Sequence, residues 1–181
     1  LHTYCTNASF QVVELRRSVI RVALDHFSIP IDDRIIIHNC NGIDYIDEVE
    51  RNSSDIVFAD MYQAYSMEEF QSTTRFLEQC WQLLTADGWL VINFHRLPEF
   101  DHPYMERMCD LFPEVLCCRT NGGNYVVICG KQTLTQPLPE YRDSLAELEQ
   151  RFDIRLYTNF ARIFKLSTPV TDSVKLSRQS G

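Results

Sequence analysis

Three apolar runs in this sequence end on side chains able to do chemistry. Phe10-Gln11-Val12-Val13 ends on Glu14, and Arg34 to His38 runs into Asn39-Cys40-Asn41-Gly42. Ile56-Val57-Phe58-Ala59 stops at Asp60, with Met61, Tyr62, Gln63 and Tyr65 close behind. A fourth run, Trp89 to Ile92, leads into Asn93, His95 and Arg96. An acid closing a strand of a nucleotide-binding unit can accept hydrogen bonds from both ribose hydroxyls. Glu14 is placed for that, although an ion pair with Arg16 or Arg17 would use the same group. Asn41-Gly42 can offer an amide and a close-approaching backbone to an adenine edge, or can make only a turn. Asp60 is the sharpest case. A carboxylate at the mouth of an apolar strand has a raised pKa unless it meets donors or a cation. It can then accept a proton from an amine or orient one; otherwise it is a helix N-cap or a structural acid. Tyr62 and Tyr65 can form a wall over a ligand. His95 reads more readily as a surface histidine than as a base.

The elements that must position these groups alternate between strand and helix. Phe10 to Glu14 reads as a strand, and Arg16 to Phe27 carries Val19, Ile20, Ala23 and Phe27 on one helical face. Ile29-Pro30 breaks that helix, and Asp32-Asp33 turns the chain into a second strand, Arg34 to His38. A short helix over Asp44 to Arg51 and a third strand over Asp55 to Ala59 follow. Met67 to Leu84 has helical spacing of Phe70, Leu77, Cys80, Trp81 and Leu84; Asp87-Gly88 ends it before a strand over Trp89 to Phe94. Pro103 suits the first turn of a helix running to Phe112. Val115 to Arg119 and Tyr125 to Cys129, joined by Asn121-Gly122-Gly123-Asn124, read as an antiparallel hairpin. Tyr141 to Phe152 is one more amphipathic helix. The pattern predicts an α/β fold over residues 1–166: a Rossmann-like, mostly parallel sheet flanked by helices and closed by a C-terminal antiparallel hairpin. The Ser- and Thr-rich tail, 167–181, is expected to fray. In such sheets ligands bind at the carboxyl ends of the strands, which would put Glu14, Asn41, Asp60 and Asn93 along one rim.

Composition narrows the partners. The chain has 181 residues, enough for one domain with its own core. With 25 acids against 17 bases, its net charge of −8 argues against a broad phosphate-binding face and so against nucleic acid. A cationic substrate is compatible with that charge. No apolar run approaches the ~20 residues needed to cross a bilayer, and no basic segment followed by an apolar stretch opens the chain. The seven cysteines form no C-x-x-C pair and no zinc pattern, and most sit inside apolar segments. They are expected to be reduced and structural, in the cytoplasm, with no metal.

The order of these residues resembles a known family. "VVELRRSVIRVALDHFSIPIDDRIIIHNCNGIDYI" resembles the central part of the spermidine synthases, the polyamine aminopropyltransferases. The shared order is an acid, an apolar helix, a D-D-R turn, a strand and a D-G-like pair. "SDIVFADMYQAYSMEEF" and "FLEQCWQLLTADGWLVINF" resemble the segment that follows, and "NGGNYVVICGK" is similar to the family's late hairpin. The resemblance covers most of Phe10 to Lys131 and implies the class I S-adenosylmethionine methyltransferase fold. It implies that Glu14 holds the ribose of an S-adenosyl nucleoside and that Asn41-Gly42 contact its adenine. Asp60 then deprotonates the attacking amine, with Tyr62, Gln63 and Tyr65 on the acceptor side. The co-substrate implied is decarboxylated S-adenosylmethionine, or S-adenosylmethionine itself, and the acceptor is a polyamine or another small molecule. A homodimer is implied by analogy.

The sequence departs from that family at four places. Asn41-Gly42 stands where the family has D-G, and Asp60-Met61-Tyr62-Gln63 stands where it has D-x-x-D. The second acid, which helps hold the cationic polyamine, is thus an amide. "AYSMEEF" contains neither residue of the usual Pro-Gly gate loop. Glu14 should lie about 20 residues beyond a glycine-rich loop, yet the residues before it, "LHTYCTNASFQVV", contain no such loop and no first strand. That strand is central in the family, so the expectation is a partial chain whose sheet is split. Two readings follow: a spermidine synthase-like transferase of aminopropyl or methyl groups with an altered acceptor site, or a non-catalytic relative that binds a nucleoside or a protein partner. A nicotinamide dehydrogenase also matches an acid-terminated strand but lacks any resembling cofactor loop.

Overall fold

The computed structural model describes residues 1–30, 32–60 and 73–166, together with the backbone of two short strands at 62–63 and 66–67. Strand β1 (Phe10–Val13), helix α1 (Arg17–His26), strand β2 (Ile35–His38), helix α2 (Gly42–Glu48) and strand β3 (Ser54–Ala59) come first. The short strands β4 (Tyr62–Gln63) and β5 (Ser66–Met67) pair antiparallel. Helix α3 (Thr74–Leu83), strand β6 (Leu84–Phe94), helix α4 (Pro103–Leu111) and strands β7 (Glu114–Arg119) and β8 (Tyr125–Gly130) follow. A 3₁₀ turn, helices α5 (Arg142–Phe152) and α6 (Tyr157–Phe160) and strand β9 (Ile163–Lys165) complete the order.

The sheet is split. Among the described residues β1 pairs only with β2, in parallel, while β3, β6, β8, β7 and β9 form a separate five-stranded sheet in that order. The α/β class holds, but the parallel part is confined to two pairs, β1 with β2 and β3 with β6. The antiparallel part is larger than a hairpin, because β9 adds to the outer edge of β7. Three boundaries also differ from the sequence reading, each for a local reason. Thr73 caps α3 by accepting a hydrogen bond from the Phe76 backbone, so the helix starts there and Met67 lies in β5. Asn41 caps α2, which starts and ends several residues early. Leu84 already pairs with Ser54, so β6 begins before Trp89 and the ladder with β3 is irregular between Ser54 and Ile56.

One core serves the second half of the chain. Leu90, Ile92 and Phe94 of β6, Val115 and Cys117 of β7 and Val127 and Cys129 of β8 pack against Phe76, Leu77 and Cys80 of α3 and Tyr104, Met105 and Met108 of α4. Lys131, just past β8, donates to the carbonyls of Trp81 and Leu84 at 2.9 Å each. The Trp81 carbonyl lies in the last turn of α3, where carbonyls lack a helical partner, and Leu84 is the first residue of β6, so the cation fixes that helix end to the sheet. No described residue before Ala59 is buried. No helix among the described residues is long and apolar enough to cross a membrane.

Candidate functional site

Parallel pairing sets β3 and β6 side by side with Ala59 opposite Ile92, so Asp60 and Asn93 follow at the same end of adjacent strands. β8 runs antiparallel to β6, with Tyr125 opposite Phe94, and this brings the residue before β8, Asn124, to that end as well. The three side chains are joined. Asn93 Nδ2 donates to Asp60 Oδ1 at 2.9 Å, and Asn124 Nδ2 donates to Asn93 Oδ1 at 3.1 Å. They border an open cleft of about 360 Å³ that is also lined by Phe58, Val91, Thr120 and Val126. Its floor is apolar and its rim polar, the usual composition of a small-molecule site. Asp60 itself is exposed, so its carboxylate is available to a ligand while Asn93 fixes one oxygen. An oriented carboxylate on an apolar floor can accept a proton from an ammonium or hold it by a charge-assisted hydrogen bond.

The hairpin turn explains how Asn124 arrives. Gly123 has φ +91°, in the left-handed region that suits glycine, and its N–H donates to the Thr120 carbonyl at 3.2 Å. Thr120 N–H in turn donates to the Asn124 carbonyl at 2.8 Å. The asparagine is therefore held by the tightness of the turn, and its amide is aimed by the β6–β8 register.

Glu14, Asn41 and Gly42 do not line that cleft. They belong to the two-stranded sheet and its following helix. The Glu14 side chain is about a quarter exposed, and its Oε1 accepts from the Arg16 N–H at 2.7 Å and from Arg16 Nε at 3.3 Å. Asn39 Nδ2 donates to the carbonyls of Glu14 and Leu15 at 2.9 Å, which ties the end of β1 to the end of β2. Asn41 Oδ1 accepts from the Ile43 N–H at 2.9 Å as the α2 N-cap, and Gly42 is the first helical residue. Each of the two therefore has a local structural bond besides any ligand it meets. Tyr62 and Gln63 have a described backbone in β4, opposite Met67 and Ser66. Tyr65 lies outside the described residues. His95 is exposed, one residue past the end of β6 at Phe94.

Sequence reasoning placed Asn93 on the rim but missed its two bonds, and it missed Asn124 and Thr120 altogether. Only the N-G-G-N turn signalled them, and a turn motif does not say which strand end it will face.

No protein-family model matches this sequence, and no curated protein does. Solved structures do. A probable spermidine synthase from Corynebacterium glutamicum superposes with a TM-score of 0.67 at 16% identity, over 92% of this chain and 61% of its own. Human methyltransferase-like protein 13, in complex with SAH, gives 0.66 at 20% identity over 97% of this chain and 80% of its own. A spermidine synthase bound to the transition-state analogue AdoDATO gives 0.61 at 18% identity over 84% of this chain and 58% of its own. The chain has a spermidine synthase-like, class I methyltransferase fold. It spans about three fifths of the length of the spermidine synthases it matches.

Proposed function

We propose that this chain carries part of the site of a transferase that uses an S-adenosyl nucleoside and moves an aminopropyl or methyl group to a small acceptor. The observation that carries the reading is the Asp60–Asn93–Asn124 chain at the carboxyl ends of the parallel pair, beside an apolar-floored cleft. That is where α/β sheets place ligands. The fold is shared with proteins solved with SAH and AdoDATO, which supports a nucleoside of that kind.

The residues present fit the nucleoside in part. Glu14 is a partly exposed carboxylate at a strand end, the chemistry a ribose diol needs, and Gly42 offers backbone at the start of α2. Among the described residues there is no glycine-rich turn ahead of Glu14 to hold the rest of the molecule. The bound sulfonium would supply an electrophilic carbon. Asp60 would accept the proton released as the acceptor nitrogen bonds to that carbon and the carbon–sulfur pair returns to sulfur. Asn93 would keep the carboxylate aimed. Putrescine is disfavoured as the acceptor, because Gln63 stands in the sequence where the family has a second acid to hold a second ammonium. Loss of a charged hydrogen-bond partner costs about 1.5–3 kcal/mol.

A second reading, nucleoside binding without catalysis, is favoured by Gln63 and Asn41 standing in the sequence where the family has acids, while Glu14 keeps a partly exposed carboxylate. Calorimetric titration with S-adenosylmethionine, its decarboxylated form and methylthioadenosine separates the two readings when combined with Asp60→Asn. Transfer predicts that Asp60→Asn abolishes turnover while nucleoside affinity persists. Binding alone predicts no turnover in either protein and loss of affinity in Glu14→Ala. A folded chain that binds none of the three compounds refutes both.

A further inference from the structure

Asp60, Asn93 and Asn124 form a chain in which each bond sets the direction of the next. An ionised carboxylate accepts hydrogen bonds and donates none, whereas a side-chain amide has a donor end and an acceptor end. Asp60 Oδ1 therefore takes the Nδ2 end of Asn93, which turns Asn93 Oδ1 towards Asn124, and Asn124 answers with its own Nδ2. Turned over, the Asn93 amide would set oxygen against oxygen at Asp60 and N–H against N–H at Asn124. An amide has nearly the same shape either way round, so packing does not choose between the two. The bonds do.

The two ends of the chain are held unequally. Asp60 is exposed, and among the described residues only Asn93 bonds its side chain. Asn124 is half-buried, and its backbone carbonyl accepts from the Thr120 N–H at 2.8 Å and from Thr120 Oγ1 at 3.1 Å. Gly123, not Asn124, takes the left-handed conformation that the turn requires. The Asn124 side chain is therefore not needed to shape the backbone. Tyr125, the next residue, is already in register with Phe94 of β6. The fixed end of the chain is at the hairpin, and the direction of the amides is imposed from there towards Asp60.

We propose that Asn124 is a positioning residue of the candidate site: by donating to Asn93 Oδ1 it holds the Asn93 amide with its N–H on Asp60 Oδ1, which leaves Oδ2 for the ligand. This role rests on the transferase reading for its purpose and on the bonds alone for its geometry. A carboxylate that has taken up the acceptor's proton carries an O–H, and a turned Asn93 would accept from it and stabilise the protonated acid. The Asn124 bond opposes that turn, so Asp60 can release the proton and accept the next one.

The test is nuclear magnetic resonance of the Asn93 side-chain amide in the full 181-residue chain, with Asp60→Ala giving the signature of an Asn93 N–H that has lost its carboxylate. Asn124→Ala removes the donor and keeps the backbone carbonyl that Thr120 bonds. The expected result is exchange with water about five- to tenfold faster at Asn93 Nδ2, with the backbone amides of Asn93 and Val126 unchanged. Asn124→Asp sets an acceptor against Asn93 Oδ1. The Asn93 N–H should then turn away from Asp60, seen as nuclear Overhauser contacts to the β-protons of the substituted side chain in place of those of Asp60. An Asn93 side-chain signal that is the same in wild type and Asn124→Ala overturns the proposal, as do contacts that stay at Asp60 in Asn124→Asp. Faster exchange at the Asn93 and Val126 backbone as well also overturns it, because Asn124 then holds the β6–β8 ladder together rather than the amide. These measurements need no nucleoside, so a folded chain that binds none refutes the transferase reading and leaves the amide order to be decided by its own result.

Discussion

The sharpest prediction concerns the bond between Asn93 and Asp60. Asn93→Leu keeps the side-chain volume but removes the amide that donates to Asp60 and accepts from Asn124. A hydrogen bond to a charged group contributes about 1.5–3 kcal/mol, and a neutral one about 1 kcal/mol. Asp60 is exposed, so water replaces the lost donor and the first figure falls to about 0.5–1 kcal/mol. The Asn124 bond is part-buried and keeps about 1 kcal/mol, while burial of the new isobutyl group offsets part of the loss. The net expectation is about 1 kcal/mol of destabilisation, or roughly 2–4 °C in Tm for a chain of this size. A double-mutant cycle with Asp60→Ala, read by urea unfolding, isolates the pair, with an expected coupling of about 0.5–1 kcal/mol. Nucleoside or acceptor binding, where measurable, should weaken more in Asn93→Leu than its stability loss explains. Strict additivity would show that the two side chains do not act together. A loss above about 3 kcal/mol would make Asn93 a packing residue rather than a positioning one.

Three further outcomes follow from the rest of the structure. Glu114 is 3% exposed; it bonds Lys165 at 2.9 Å and accepts from the Leu134 N–H at 3.1 Å. Lys165→Ala should therefore cost about 1–2 kcal/mol, less than a fully buried pair because the lysine is half exposed. Adding Glu114→Gln should restore part of that loss in denaturant melts. Burial pushes the Cys117 thiol up to about 11, with the Cys118 thiol adding to the rise, and burial also raises the Cys80 and Cys129 thiols. Unfolded thiols ionise first, so this contribution to stability is complete below pH about 9 and declines as pH rises toward 11. The slope is about 1.4 kcal/mol per pH unit for each thiol, visible as a falling Tm that Cys117→Ala makes shallower. Tyr104 is buried with its hydroxyl unpartnered among the described residues. Tyr104→Phe should leave stability unchanged or raise it by up to about 1 kcal/mol, and a drop larger than that in thermal melts would reveal a partner for the hydroxyl.

Periodicity and strand-end chemistry make much of this protein legible in its sequence. Alternating apolar runs and amphipathic stretches define β1, β2, β3, α1, α4 and the β7–β8 hairpin, because local burial patterns report directly on strand and helix faces. A carboxylate ending an apolar run is a local signal too, so Asp60 and Glu14 stood out from their neighbours alone. Helix starts were less legible, since Thr73 and Asn41 act as caps through single side-chain bonds that compete with other turn chemistry. β9 was invisible because three residues have no period.

The tertiary structure alone decided what these residues share. Asp60, Asn93 and Asn124 come from three strands, and only the parallel β3–β6 and antiparallel β6–β8 registers bring their amides and carboxylate within bonding distance. Strand pairing is non-local, so no stretch of sequence encodes it. The same holds for the separation of Glu14 and Asn41 from the cleft. The sequence determined which residues end strands, and the division of the sheet into two determined which of those ends meet.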